Sequence, residues 1–500
     1  MQKTKNNFAN KNCLLSSPNN KTIAMNQETK WSQFGTLISV FFFWGFVAAS
    51  NGILIPLFKE KMDLTQFQAQ LVDLAFYIAY FVGAILYFIV ARLWGQDPLN
   101  RIGYKNGIVY GLLFSALGAL IFYPAAQTQS YGLFLTALFV VGLGFSLQQT
   151  AAQPYAIAMG NPATGSQRLN LAGGINNFGT TLGPVLVSLA IFGSAKESAV
   201  AEAAKNASLE DVKVPYLILG IAFILVALVF RFAKLPAVKN TEVIEKGYGA
   251  LKYPQLVLGM IGIFVYVGVE VSIASNLGEY LKQKQNLDSS QIAHWVSLFW
   301  ASMMIGRWTG AVSAFNPSKS LKPILIAIVP FIAFGVYMLI NYLRGINVFS
   351  EMIPYAICIV VMILTYFMSQ DKPARMQLIY SILGGTAMLI GIFTTGKISL
   401  FALISGGLFC SVMWPCIFNL AIAGLGKYTS QGSAFLIMMI LGGAVIPPLQ
   451  GAIADKIGIQ ESYWVCFACF IYLGWFAIKV KSVLQKQGID FDATSASGGH

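Results

Sequence analysis

The sequence predicts an all-α polytopic membrane protein of about fourteen spans. Three observations carry this. The chain has 500 residues, of which 56% are hydrophobic and only 11% charged, where a soluble chain carries about 25%. Its mean hydropathy is +0.65. Runs of about 20 apolar residues, long enough to cross about 30 Å of hydrocarbon, recur along most of its length. With no water in that layer to satisfy the backbone, such runs must be helices.

Residues 1–30 are rich in Asn and Lys, lack an apolar core, and read as a disordered cytoplasmic tail and not a secretory signal. The first span, 33–57, carries Phe41-Phe42-Phe43-Trp44, expected to pack or face lipid, then Ser50-Asn51-Gly52 and Pro56. The second, 66–93, carries Asp73, Tyr77 and Tyr80. The third is 104–123. The fourth, 131–158, places Gln148, Gln149, Thr150 and Gln153 before Pro154. The fifth, 168–193, sets Asn170, Asn176 and Asn177 among glycines, and the sixth is 214–233. A polar stretch at 236–253 is the one good central linker. Beyond it, 254–280 carries Glu270, Ser272, Ser275 and Asn276, and 291–314 carries Trp300 and Arg307. Next come 321–342, 351–369 and 375–394. The span 397–424 holds Trp414, Pro415 and Asn419; 430–453 holds Pro447, Pro448 and Gln450; the last is 459–481. Residues 483–500 form a second tail.

The net charge of +13 reads as topology. With the N-terminus in the cytoplasm, Lys and Arg favour the inner segments by better than two to one, so both termini are expected inside. No basic soluble face suggests nucleic acid. The CxxC spacing of Cys466 and Cys469 lies in an apolar helix without acidic or His neighbours, so small buried hydrophobes are expected, not a metal or redox site. His294, at the mouth of the eighth span, suits a structural role. No HExxH, GxSxG or carboxylate cluster suggests an enzyme. The sequon at Asn206 lies in a loop at 194–213 and reads as chance.

Polar groups at membrane depth are costly and usually face a cavity or a neighbouring helix. Side-chain amides both donate and accept, as sugar hydroxyls do. An amide cage with aromatic faces nearby suits a neutral polyhydroxylated solute. The competing use of each amide is interhelical glue. The expected substrate-binding set is Asn51, Gln148, Gln149, Gln153, Asn176, Asn276, Trp300, Trp414 and Asn419. Pro154, Pro447 and Pro448 are expected at gates, because proline breaks helix hydrogen bonds.

The stretches FFFWGFVAASNGILIP (41–56), RLNLAGGINNFGTTLGP (168–184), YVGVEVSIASNL (266–277), MWPCIFNLAI (413–422) and SAFLIMMILGGAVIPPLQGAIAD (433–455) carry a family resemblance. The chain resembles the fucose/glucose/galactose:proton symporter family of the major facilitator superfamily. GQDPLNRIGYKNG (95–107) is a degenerate form of the superfamily loop pattern. The resemblance implies the major facilitator fold, with an N-terminal six-helix bundle at 31–235. A C-terminal bundle at 254–482 would carry an inserted hairpin at 321–369. It also implies alternating access, a central sugar site and a bacterial inner membrane.

The departures from that family matter most. Gly52 stands where the fucose permease has an acid, Gln149 where it has a Glu, and Gly173 where it has a Gln. Two carboxylates tied to proton coupling in that relative are therefore missing. Glu270 and Asp73 are the acids well inside spans and are the expected ion-coupling pair, for H+ or Na+; a buried carboxyl can be poised to exchange protons. Arg307 is expected to anchor the loop after its span, or to pair with one of these acids. No cofactor or metal is expected, the partners being sugar and lipid, and the chain is expected to be a monomer. An uncoupled facilitator, and less readily a drug:proton antiporter, remain as readings.

Overall fold

The computed structural model describes residues 29–62, 66–161, 164–192, 208–236, 248–287 and 289–489. Side chains at 48–60, 66–70, 72–73, 184, 188, 191–192 and 289–291 also lie outside the described set. Among the described residues there is helix and no strand. We number the long helices α1 (Trp31–Lys61), α2 (Gln66–Trp94), α3 (Tyr104–Thr128), α4 (Tyr131–Ala158), α5 (Gly165–Phe192), α6 (Lys213–Phe232), α7 (Pro254–Lys284) and α8 (Ser289–Ala311). They continue as α9 (Leu321–Leu343), α10 (Ala356–Ser369), α11 (Pro373–Phe393), α12 (Gly396–Ile422), α13 (Gly426–Ile457) and α14 (Trp464–Lys486).

Eleven stretches among the described residues are long and apolar enough to cross a membrane. They fall on every numbered helix except α1, α5 and α8. Both α5 and α8 carry polar residues buried against protein: Asn170 and Asn177 on α5, Arg307 on α8. In α1 the described side chains form an apolar stretch over Trp31–Val47.

The packing repeats. In the first half α1 lies on α5, α2 on α4, and α3 on both α4 and α6; in the second half α7 lies on α13, α8 on α12, and α11 on both α12 and α14. The repeat works only with α9 and α10 set aside. Between the halves, α5 meets α8, and α2 and α4 meet the start of α13.

Close approach of α1 and α5 rests on glycine. A Cβ on Gly179 would stand 2.3 Å from the Phe42 carbonyl oxygen, and one on Gly45 would stand 1.9 Å from that of Asn176. Small residues let two backbones touch in this way. Of the Phe41–Trp44 run, Phe41 and Trp44 are buried in protein, while Phe42 and Phe43 are half-buried.

Two aspartates organise the loops at the end that carries the N-terminus. Asp97 caps the short helix Pro98–Ile102 through the Asn100 amide (3.1 Å) and accepts the Tyr87 hydroxyl (2.7 Å). Asp371, before α11, accepts the Tyr366 hydroxyl (2.6 Å), the Ser313 hydroxyl (2.9 Å) and the Lys322 ammonium. Arg168, the first residue of the fifth expected span, is fully buried. It donates to the carbonyls of Ala156, Ile157 and Asn161, which closes the end of α4.

Two outcomes follow from this packing. Gly179→Val forces α1 and α5 apart and costs about 1–3 kcal/mol or more, read as a lower melting midpoint in detergent. Burial holds the Asp97 carboxyl above its ordinary range despite its hydrogen bonds. The folded chain then binds this proton more readily than the unfolded one, so the contribution of Asp97 to stability falls as pH rises. The melting midpoint of Asp97→Asn, relative to the parent, should therefore rise from about pH 4 to about pH 7. A difference independent of pH would refute the burial argument.

Candidate functional site

Between the halves lies a cavity of about 660 Å³. Its walls come from α1 (Phe41, Trp44), α2 (Tyr77, Tyr80), α4 (Gln149, Gln153), α5 (Asn176, Asn177), α7 (Tyr266, Glu270), α8 (Trp300, Arg307) and α12 (Trp414). It reaches from mid-helix towards the end away from the N-terminus, where Val185, Ser275, Val296 and Arg344 line it.

At the other end the halves are closed on each other. Asn100 donates to the Lys427 carbonyl (3.3 Å) and accepts from the Ser430 hydroxyl (3.4 Å). The Ser433 hydroxyl donates to the Thr150 carbonyl (2.8 Å), and Gln167 donates to the Asp371 carbonyl (3.2 Å). Phe88 packs on Phe435 at 4.4 Å between ring centres, and Trp31 stacks on Phe315 at 4.6 Å.

Two prolines explain part of this geometry. Proline has no N–H, so the carbonyl four residues earlier loses its helical partner. Pro154 frees the Thr150 carbonyl, and that carbonyl takes the Ser433 hydroxyl of the other half. Pro415 frees the Ser411 carbonyl where α12 breaks between Cys410 and Met413, and Arg307 donates to it through Nε (3.1 Å).

Arg307 is the hub of the cavity floor. Its Nη1 donates to Asn177 Oδ1 (3.0 Å) and the Gly173 carbonyl (3.4 Å), and its Nη2 to the Tyr266 hydroxyl (3.3 Å). Neighbouring Trp308 donates its indole N–H to the Gly174 carbonyl (3.1 Å). Gly173 gives this side chain room, since a Cβ there would meet Arg307 Cδ at 3.1 Å. Glu270 lies on the same wall, one helical turn from Tyr266 and within the electrostatic reach of Arg307. Arg307 thus joins α8 to α12, α7 and, across the halves, α5; it is more than a loop anchor.

The amides divide by role. Gln149 donates to the Tyr80 hydroxyl (2.9 Å) and Asn176 to the Phe41 carbonyl (3.0 Å), and both line the cavity. The Oε1 of Gln153 and the Nδ2 of Asn177 are buried with no partner in the structure. Gln148, expected to bind substrate, is off the wall: it accepts the Trp44 indole N–H (2.9 Å) and donates to Ser115 (2.9 Å), tying α1, α3 and α4. Asn276 also lies off the wall. It donates to Gln450 Oε1 (3.2 Å), which also takes the Ser272 hydroxyl (2.6 Å) and the Cys466 thiol (3.4 Å). Asn419 is buried beside Gly165 at the closed end. Pro447 and Pro448 lie beyond the 3-10 break at Met439–Leu441 and do not line the cavity. The side chains of Asn51 and Asp73 lie outside the described residues. Sequence reasoning missed Tyr266, and also Tyr337 and Asn341 of α9, which line the cavity as well. Their signal was present as polar residues in an apolar run, but the run was read only as an added hairpin.

Comparison with known proteins agrees with this architecture. Residues 34–395 match the model of the Major Facilitator Superfamily. The chain is 35% identical over 450 residues to the glucose/galactose transporter of Brucella abortus biovar 1 (strain 9-941), covering 89% of this chain and 92% of that one. It is 27% identical over 464 residues to the L-fucose-proton symporter of Escherichia coli (strain K12), covering 89% and 92%. Among solved structures it is similar to FucP, a Major Facilitator Superfamily transporter in the outward conformation, with a TM-score of 0.68 and 26% identity over 89% of this chain and 98% of that chain. A helical repeat around a polar central cavity and a match over most of its length thus place this chain in the Major Facilitator Superfamily.

Proposed function

We propose that the protein imports a hexose or a related sugar by cation symport, through alternating access in a bacterial inner membrane. The observation that carries the reading is Glu270 on the wall of an amide- and aromatic-lined cavity. Gln149, Gln153 and Asn176 offer donors and acceptors to hydroxyls, and Trp44, Trp300 and Trp414 offer apolar faces. The names of the sugar-transporting relatives support the substrate class. The proposed topology has fourteen spans in two six-helix bundles, α9 and α10 being an insertion, with both termini cytoplasmic. The closed end then faces the cytoplasm and the cavity opens outward.

Glu270 is the proposed coupling group. It lies one helical turn from Tyr266, which Arg307 holds, and Arg307 bridges to the other half through Asn177. A change in the charge of Glu270 is therefore felt by a contact between the halves. The second reading, an uncoupled facilitator, draws on Gly52 and Gln149 standing where the fucose permease has acids.

Uptake of labelled glucose, galactose and fucose into proteoliposomes under an imposed proton or sodium gradient tests the proposal. Accumulation above equilibrium is expected with one gradient; equal rates with and without either would favour the facilitator. In Glu270→Gln, gradient-driven accumulation should fall at least about tenfold while sugar exchange persists, since a coupling step and not binding is removed. Ser433→Ala leaves the Thr150 carbonyl unmet at the closed end. A loss of about 1 kcal/mol there should raise the labelling of a cysteine placed at the cytoplasmic side of the cavity.

A further inference from the structure

The inserted pair α9–α10 is wired to the second half at three levels. At the end carrying the N-terminus, Lys322 and Tyr366 grip Asp371. At mid-depth the Tyr355 and Ser302 hydroxyls are 2.7 Å apart. Towards the other end, the Tyr337 hydroxyl donates to the His294 carbonyl (2.8 Å), and His294 Nε2 stands 3.6 Å from Glu351. A pair held this way is a fixed wall.

One stripe of α9 faces the cavity. Tyr337, Ile340, Asn341 and Arg344 line it, and their spacing of three, four and seven residues is that of a single helix face. Leu339, Tyr342 and Leu343, on other faces, are exposed. Asn341 is 1% exposed. Its Nδ2 donates to the Tyr337 carbonyl (2.9 Å), while its Oδ1 has no hydrogen-bond partner in the structure. A buried acceptor left unmet is costly, and here it belongs to a residue of the cavity wall. Opposite on α8, one turn apart, are Ser297 and Trp300.

The chemistry of the deep chamber, an aromatic face with amides, recurs in this outer tier. The deep residues Gln149, Gln153, Asn176, Glu270 and Trp414 already form a full set for one sugar ring. The cavity of about 660 Å³ falls within the range of about 300–1,000 Å³ that small-molecule sites span, and it continues from the deep residues out to Asn341 and Arg344. We infer that Asn341 and Tyr337, with Ser297 and Trp300, form an outer subsite that holds the second ring of a disaccharide. This rests on reading the deep chamber as a sugar site. The Asn341 Oδ1 accepts a hydroxyl of the outer ring, and Trp300 offers that ring its face.

The test is competition against uptake of labelled glucose and galactose by the intact protein in proteoliposomes. The competitors are lactose, maltose, cellobiose and N,N′-diacetylchitobiose. At least one should compete in the parent. In Asn341→Ala and Asn341→Leu its apparent affinity should fall about fivefold to tenfold, with monosaccharide KM changed less than about twofold. Unchanged monosaccharide uptake shows that the variants fold. If monosaccharides are carried and none of the four disaccharides competes, the outer subsite is wrong while the proposed function stands. Equal losses for one ring and two would also overturn it, by making Asn341 a structural residue. If neither monosaccharide is carried or bound, the failure lies with the proposed function itself.

Discussion

A carbonyl or a charge that lies at membrane depth must be met by protein, because lipid offers it nothing. Much of this structure is an answer to that demand. Pro154 and Pro415 each release a carbonyl from its helix, and each released carbonyl becomes a joint. Thr150 accepts Ser433 from the opposite half, and Ser411 accepts Arg307. Arg307 in turn needs further acceptors and finds Asn177, Gly173 and Tyr266. The contact between the halves is thus built from groups that would be expensive to leave alone.

The amides obey the same demand in two ways. Gln148 and Asn276 are spent on helix contacts, with partners on both or one of their ends inside a single half. Gln149 and Asn176 also hold helices, but they do so from the cavity wall. Gln153 and Asn177 keep one polar atom unmet. Holding helices together and lining the cavity are therefore not alternatives for a residue in this chamber. In Asn177 one end is held, its Oδ1 by Arg307, while its Nδ2 has no partner in the structure.

The inserted helices show how a repeated fold takes on an extra element without losing its repeat. α11 to α14 keep the contacts that α3 to α6 have in the first half, since α9 and α10 join on the flank of α8. The insertion splits the loop between α8 and α11, and Asp371 at its far side is held by Lys322 from its near side. The same carboxylate lies next to a carbonyl that accepts Gln167 from the other half. An added hairpin is in this way tied both to the closed end and, through α9, to the cavity.

The sequence by itself determined the helical membrane architecture, because apolar run length is a local property. It also marked Gln149, Asn176, Trp300, Trp414, Glu270 and Arg307, since polar or bulky residues inside such runs stand out. It did not separate them from Gln148, Asn276 and Asn419, which look alike in one dimension. Only the tertiary structure decided which face of each helix meets the cavity. It also decided that Phe41 and Trp44 turn inward, that Arg168 is buried and that α9 is a wall of the chamber. Those outcomes depend on helix rotation and on which neighbour approaches, as where Gly179 admits the Phe42 carbonyl, and no periodicity within a single span encodes them.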